Sequence, residues 1–311
     1  MRNTFSETLY QCAKDDPNIV IVVSDISPAG SMANFQNEYP ERFINVGVAE
    51  QVMIGISAGL AAKGLQPFAY TIAAFSLYRP FEMIRVDLGY QNLPVTIVGM
   101  GAGLVYSTLG GTHHTQEDIA IASTIPNMQI LAPCDPLECI EATKYCATQK
   151  SGPAYLRIGK AGEPILTRDA LDPFIFGKIR YLKKGKDVCI ISYGPIIKLA
   201  FEFSAYLDQK GISCSIISCH TLKPLDTDGL TKIVNRYCKI YILEEHIPQG
   251  GLTAQIKQIA WDNNSRTKIH GFTLKNEFIH NYGSHEELLD SHGISLNKMI
   301  DFYLSENYSP S

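Results

Sequence analysis

Residues 43–51, FINVGVAEQ, end an apolar strand in a glycine and set a carboxylate, Glu50, at the mouth of a small-residue helical run, VMIGISAGLAAKG over 52–64. One acid thus stands between the end of a strand and the start of a helix, where open α/β sheets place their ligands. An acid in a first helical turn also simply complements the helix dipole, so Glu50 needs support from other stretches.

Outward from this point the chain alternates. Upstream, IVIVVSD (19–25) is an almost wholly apolar run ending at Asp25, the pattern of a strand buried on both faces of a parallel sheet. Downstream, QPFAYTIA (66–73), PVTIVGMGAG (94–103), MQILAP (128–133) and PAYLRIG (153–159) read as further strands. Helical spacing fills the gaps at 6–14, 75–90 (with Pro80 tolerated near its first turn), 117–124 and 136–149, while 26–42 reads as a loop or short helix. Such alternation predicts a doubly wound α/β domain over 1–170. Residues 163–187 carry prolines, Asp and Lys-Lys-Gly without a sustained period, so 171–186 is expected to be a linker with at most a short strand. A second, smaller α/β domain is expected over 187–311, from strands DVCIISYG, ISCSIISC and KIYILEEH and the helices between them.

The 311 residues are 45% hydrophobic and 19% charged with a net charge of −4, which describes a globular chain of about two domains. The slightly acidic balance without a basic run argues against nucleic acid or an anionic membrane as the main partner. The start, MRNTFSETLY, lacks a signal-peptide core, and no apolar run approaches the roughly 18 residues that span a bilayer, so a cytoplasmic location is expected. Eight cysteines form no CxxC pair and read as reduced core residues.

Gly99 to Gly103, GMGAG, follows a strand but lacks the third-glycine spacing and the acid of a dinucleotide site; its glycines fit a close backbone approach. GGTHHTQED follows it. His113 and His114 are neighbours whose side chains diverge in an extended loop, which disfavours joint metal binding and suits one of them to proton donation or hydrogen bonding in a cleft. Glu244, Glu245 and His246, before Gly250-Gly251, read as a structural or interface loop.

Together FINVGVAEQ, TIAAFSLY, GGTHH with PNMQILAPCDP, and AYLRIGKAGEP come in the order and spacing of the pyrimidine-binding domain of transketolases and 1-deoxyxylulose-5-phosphate synthases. HTLKPLD and EFIHNYGSHEELL resemble the C-terminal domain of the same family, so the resemblance covers nearly the whole chain. It implies two doubly wound domains and thiamine diphosphate as cofactor. The family's GDG…N motif, which binds the diphosphate and a Mg²⁺ or Ca²⁺ ion, does not occur here. The chain therefore resembles the C-terminal subunit of a split transketolase, expected to act with an N-terminal subunit that supplies the metal ligands, as a homodimer or an α2β2 heterotetramer.

The resemblance also gives residues roles. Glu50 corresponds to the carboxylate on the cofactor's aminopyrimidine, Phe75, Tyr78 and Ile72 to its aromatic and apolar walls, and Asp25 to a carboxylate near the cofactor. His113 matches the histidine that contacts the donor, His114 the second histidine of the deoxyxylulose-phosphate synthases, Arg157 a substrate-phosphate arginine and Arg2 a looser match to another. Leu109 stands where transketolases usually have an acid that reads a donor hydroxyl. Gly101 stands at a phosphate-binding histidine and Ala29 near a serine, so the sugar or sugar-phosphate substrate is expected to differ from the usual pentose phosphates. Two other readings share these features: the beta subunit of the first component of a 2-oxoacid dehydrogenase, and a degenerate scaffolding subunit. The THH and PNMQILAP motifs favour the first reading over the dehydrogenase, and joint retention of Glu50, Phe75, Tyr78 and His113 argues against the scaffold.

Overall fold

The computed structural model describes residues 1–26 and 30–308. Twelve strands form its sheets: β1 (Ile19–Val23), β2 (Phe43–Asn45), β3 (Gln66–Ile72), β4 (Thr96–Met100), β5 (Gln129–Leu131), β6 (Ala154–Ile158), β7 (Arg180–Lys183), β8 (Val188–Ser192), β9 (Cys214–Ser218), β10 (Thr221–Lys223), β11 (Lys239–Leu243) and β12 (Lys268–Phe272). The first sheet runs β10-β5-β6-β4-β3-β1-β2 and the second β12-β11-β8-β9-β7. Pairing is parallel except at one edge of each sheet, where β10 lies antiparallel to β5 and β7 antiparallel to β9.

The apolar runs form strands because both faces of the first sheet are covered. Along β1, Val20 and Val22 join one core cluster and Ile19, Ile21 and Val23 the other, as a two-residue alternation requires. Each of these side chains is at most 4% exposed. The helix Glu50–Ala62 packs on one face through Met53, Ile54, Ala58 and Ala61. Leu104 and Cys134 of the first unit are built into the core of the second.

Two stretches differ from the sequence expectation. Residues 75–90 do not form one helix: a short helix, Ala73–Leu77, ends before Pro80, and Phe81–Met83 and a π-helix, Ile84–Tyr90, follow. Proline lacks the N–H that a continuing helix needs and disfavours helical backbone in the residue before it. The expected linker holds β7, the short strand allowed for there, but β10 was not anticipated: it returns from the second unit to extend the first sheet. The units are further tied at Glu138, a buried carboxylate that accepts from Cys134 N–H at 2.9 Å, Ser218 Oγ at 3.0 Å and Arg180 Nη1 at 3.3 Å.

All eight cysteines are free, and six are buried. Among the described residues, no helix is long and apolar enough to cross a membrane.

Candidate active site

The C-terminal ends of the parallel strands in the first sheet bring most of the expected residues to one edge. Asp25 follows β1, Glu50 opens the helix after β2, Ile72 closes β3, Gly101 follows β4 and Lys160 lies just past β6. Ser24 fixes the turn before Glu50: its hydroxyl donates to Gly47 O at 2.8 Å and accepts from Ala49 N–H at 3.1 Å. Gly47 has a φ of 71°, a backbone conformation that favours glycine.

Glu50 is only 3% exposed and begins the helix Glu50–Ala62. A carboxylate so buried requires a partner, and Arg79 provides one, with Nη1 at 3.2 and 3.1 Å from the two carboxylate oxygens. The Arg79 guanidinium also lies 4.4 Å over the Phe75 ring. Phe75 meets His113 edge-on with ring centroids 5.0 Å apart, and Tyr106 meets the same imidazole at 5.7 Å. Lys160 Nζ sits 4.6 Å from the centre of the Tyr106 ring. Glu50, Arg79, Phe75, His113, Tyr106 and Lys160 thus form one continuous array. The His113 imidazole is held below the ordinary histidine value by burial and by the Arg79 charge, and its Nδ1 is 2.9 Å from Thr112 Oγ1.

Other expected residues stand differently. Asp25 is exposed, with a left-handed φ of 45°, and its N–H reaches Asn45 Oδ1 at 3.3 Å. Such strain in a non-glycine residue marks a position held by its surroundings. Ile72 is half-buried against the sheet core. Gly101 has a φ of 69°, and the Tyr106 ring occupies the space that a side chain at 101 would enter. Leu109 is 49% exposed in the same loop. Ala29 lies outside the described residues.

Tyr78 is not brought into the array. It packs on the core, where burial raises its phenol beside Asp118 and Glu117. His114 is buried, with neither ring nitrogen hydrogen-bonded among the described residues, and burial lowers its pKa. Arg157 is turned inward: its side chain is 3% exposed, Nε bonds Asp118 Oδ2 at 2.9 Å and Nη2 bonds Glu245 O at 3.1 Å. Those contacts hold its Nε and Nη2 inside the protein. Lys160, three residues on and past the strand's end, is half-buried with its Nζ over the Tyr106 ring. Near it Arg2 donates its backbone N–H to Lys160 O at 3.3 Å, and its buried Nε has no hydrogen bond among the described residues.

The first unit matches the family model of the transketolase pyrimidine binding domain over residues 1–162, and residues 177–299 match the transketolase C-terminal domain. The chain belongs to the transketolase family. One of the subunits of an apulose-4-phosphate transketolase from Phocaeicola vulgatus is 33% identical over 293 residues, 94% of this chain and 93% of the relative. A putative transketolase C-terminal section from Methanocaldococcus jannaschii is 34% identical over 295 residues, 94% of this chain and 92% of the relative. A solved structure described as a split gene transketolase, inactive beta4 tetramer, superposes with a TM-score of 0.87 at 29% identity, covering 96% of this chain and 95% of that one.

Arg79, Tyr106 and Lys160 escaped the sequence reading of this transketolase-family site. Signals for two of them existed: Arg79 directly precedes a proline, and Lys160 follows the last strand residue of AYLRIGK.

Proposed function

We propose that this chain is the C-terminal subunit of a thiamine-diphosphate-dependent enzyme that moves a two-carbon ketol unit from a ketose to an aldose, completed by a separate N-terminal subunit. The observation that carries this reading is the buried carboxylate of Glu50 beside a half-buried aromatic face, Phe75, which in turn touches a histidine, His113. A flat aminopyrimidine fits that donor set: Glu50 would hold a ring nitrogen, while Phe75 and Ile72 would flank the ring. Arg79 covers both Glu50 and Phe75, so it would have to give way.

The cofactor, when bound, supplies the nucleophilic carbon that adds to the ketose carbonyl. Everything else falls to this chain and its partner. Glu50 holds the proton on the pyrimidine nitrogen. His113, kept from carrying charge, offers a hydrogen bond to the donor's oxygen atoms at the reacting end. Lys160 and Arg2 attract an anionic group at the other end of the sugar, with the Tyr106 ring between them and His113. Leu109 and Gly101 offer no polar side chain where pentose-phosphate enzymes have one, so the preferred sugar differs from those substrates. The ligands of Mg²⁺ or Ca²⁺ are assigned to the N-terminal subunit. Val48 and Val52, 71% and 50% exposed on either side of Glu50, are the apolar surface that assembly would cover.

Calorimetric titration of thiamine diphosphate with Mg²⁺ tests the reading, for the chain alone and mixed with the N-terminal subunit. Binding only in the mixture is expected. Tight binding by the chain alone, or none in the mixture, refutes it.

A further inference from the structure

The loop 104–114, which carries Tyr106 and His113, is closed at its base. Gly103 N–H donates to Thr115 Oγ1 at 2.5 Å, and Thr115 N–H returns to Gly103 O at 3.0 Å. Glu245, just past β11 in the second unit, presses on this closure. Its Oε1 accepts the Leu104 N–H and lies 2.7 Å from His285 Nε2. Its carbonyl accepts from Arg157, and a Cβ placed on Gly103 would come within 2.5 Å of its carboxyl carbon. Glu245 is 3% exposed and Leu104 fully buried.

His285 opens the helix His285–Ser291, which Ser284 and Glu287 close with a reciprocal capping box. A cation at a helix N-terminus is disfavoured by the helix dipole, so its own helix gives the His285 charge no support. Glu245 does.

We infer that Glu245, held by His285, is a positioning residue: from the second unit it clamps the base of the loop that aims His113. The catalytic half of this inference rests on the function proposed above, whereas the clamp does not. A merely adhesive ion pair would stabilise the chain without affecting the loop. Here the carboxylate instead bonds the loop's first N–H, and Ile247 N–H to Gln116 O at 2.8 Å and Ala120 N–H to His246 Nε2 at 3.2 Å tie the segment just beyond the loop to the same stretch of the second unit.

Charge sets the pH window. Glu245 faces His285, Arg157 and the loop's own His114; His285 also faces Glu286, and Asp118 holds Arg157. Coulombic attraction to Glu245 raises the His285 pKa. Burial pushes the Glu245 carboxyl up, but His285, Arg157 and the Leu104 N–H together outweigh it and hold it low. The His285 contribution is complete below its unfolded pKa of about 6.5 and is lost as pH rises through its higher folded value. The Glu245 contribution is present above about pH 4.3 and is lost as pH falls through its depressed folded value.

Hydrogen–deuterium exchange on the full chain alone, corrected for intrinsic rates, tests the clamp at pH 5.5 and pH 9. The wild-type 104–114 segment is expected to be about tenfold better protected at the lower pH, from the loss of one charge-assisted bond. His285→Gln should remove that difference by exchanging fast at both values, and His285→Lys should restore protection at pH 9. Identical exchange in wild type and His285→Gln would overturn the clamp. In the reconstituted enzyme His285→Gln should lower kcat about tenfold with donor KM and cofactor Kd unchanged. A rise in KM or Kd at constant kcat would overturn the positioning role. A wild-type pair inactive on every ketose would refute the proposed function and leave the exchange result standing.

Discussion

Replacing Arg157 by Met decides between a substrate ligand and a structural ion. The side chains of Arg157 and Asp118 are 3% and 0% exposed, so solvent screens their attraction little. Asp118 Oδ2 accepts from Arg157 Nε and from Tyr155 Oη, each at 2.9 Å, and Arg157 also reaches the Glu245 carbonyl. Methionine fills much of the same volume but leaves Asp118 as an uncompensated buried charge. Removing one partner of such a pair costs about 3–5 kcal/mol, against about 0.5 kcal/mol or less for a residue that only meets substrate. With an m-value near 3 kcal/mol/M, the urea midpoint of the full chain should fall by about 1 M or more at constant protein concentration. Asp118→Asn in the same chain removes the stranded charge and should recover about 1–2 kcal/mol of the loss. If Arg157→Met left the midpoint within about 0.2 M of wild type and raised the KM of a phosphorylated sugar tenfold, the inward assignment would be wrong.

Other consequences are checked in the reconstituted enzyme. Glu50→Gln should lower kcat by about 10²–10⁴-fold while circular dichroism stays native, since the role proposed for the carboxylate is proton placement. Lys160→Ala should raise the KM of a phosphorylated sugar about tenfold with kcat unchanged, and an equal effect on an uncharged sugar would refute its anion-binding role. Burial, the larger of the two causes that disfavour the His113 imidazolium, does not depend on where Arg79 settles, so the acid limb of the kcat/KM profile should lie below about pH 6.5. A wild-type limb above pH 7 would contradict the assignment.

Much of the fold was legible because a parallel sheet covered on both faces demands strands that are apolar without alternation, and IVIVV and TIVGM have that form. Glu50 and His113 were singled out through the family motifs that contain them, FINVGVAEQ and GGTHH, and the structure sets them in one array through Arg79 and Phe75. Tyr78 misled although it keeps helical backbone, its N–H bonding Ala74 O at 3.2 Å. Its three-residue spacing from Phe75 falls short of a full helical turn, so it stands to a different side of the helix and packs on the core. Arg157 misled because it is the fourth residue of a strand whose five residues are all buried, while its counter-ion Asp118 lies 39 positions away. Periodicity cannot report such a pairing. β10 was missed on similar grounds, since joining a sheet edge is a tertiary event.

Arg79 shows why the missing information matters for chemistry. A carboxylate at 3% exposure needs a cationic or hydrogen-bonding partner at every stage, including before any cofactor arrives. The feature that makes Glu50 suitable for gripping a pyrimidine nitrogen also makes it expensive to leave alone, and Arg79 meets that need from a half-exposed position across the Phe75 ring. On the proposed reading, cofactor binding would be an exchange of partners at Glu50 and Phe75. The affinity it shows is the difference between two sets of contacts, and part of the gross gain is consumed in moving the guanidinium. The same exchange would take a positive charge away from Glu50, so Arg79 influences the site both by leaving the carboxylate and by where its charge then settles relative to His113.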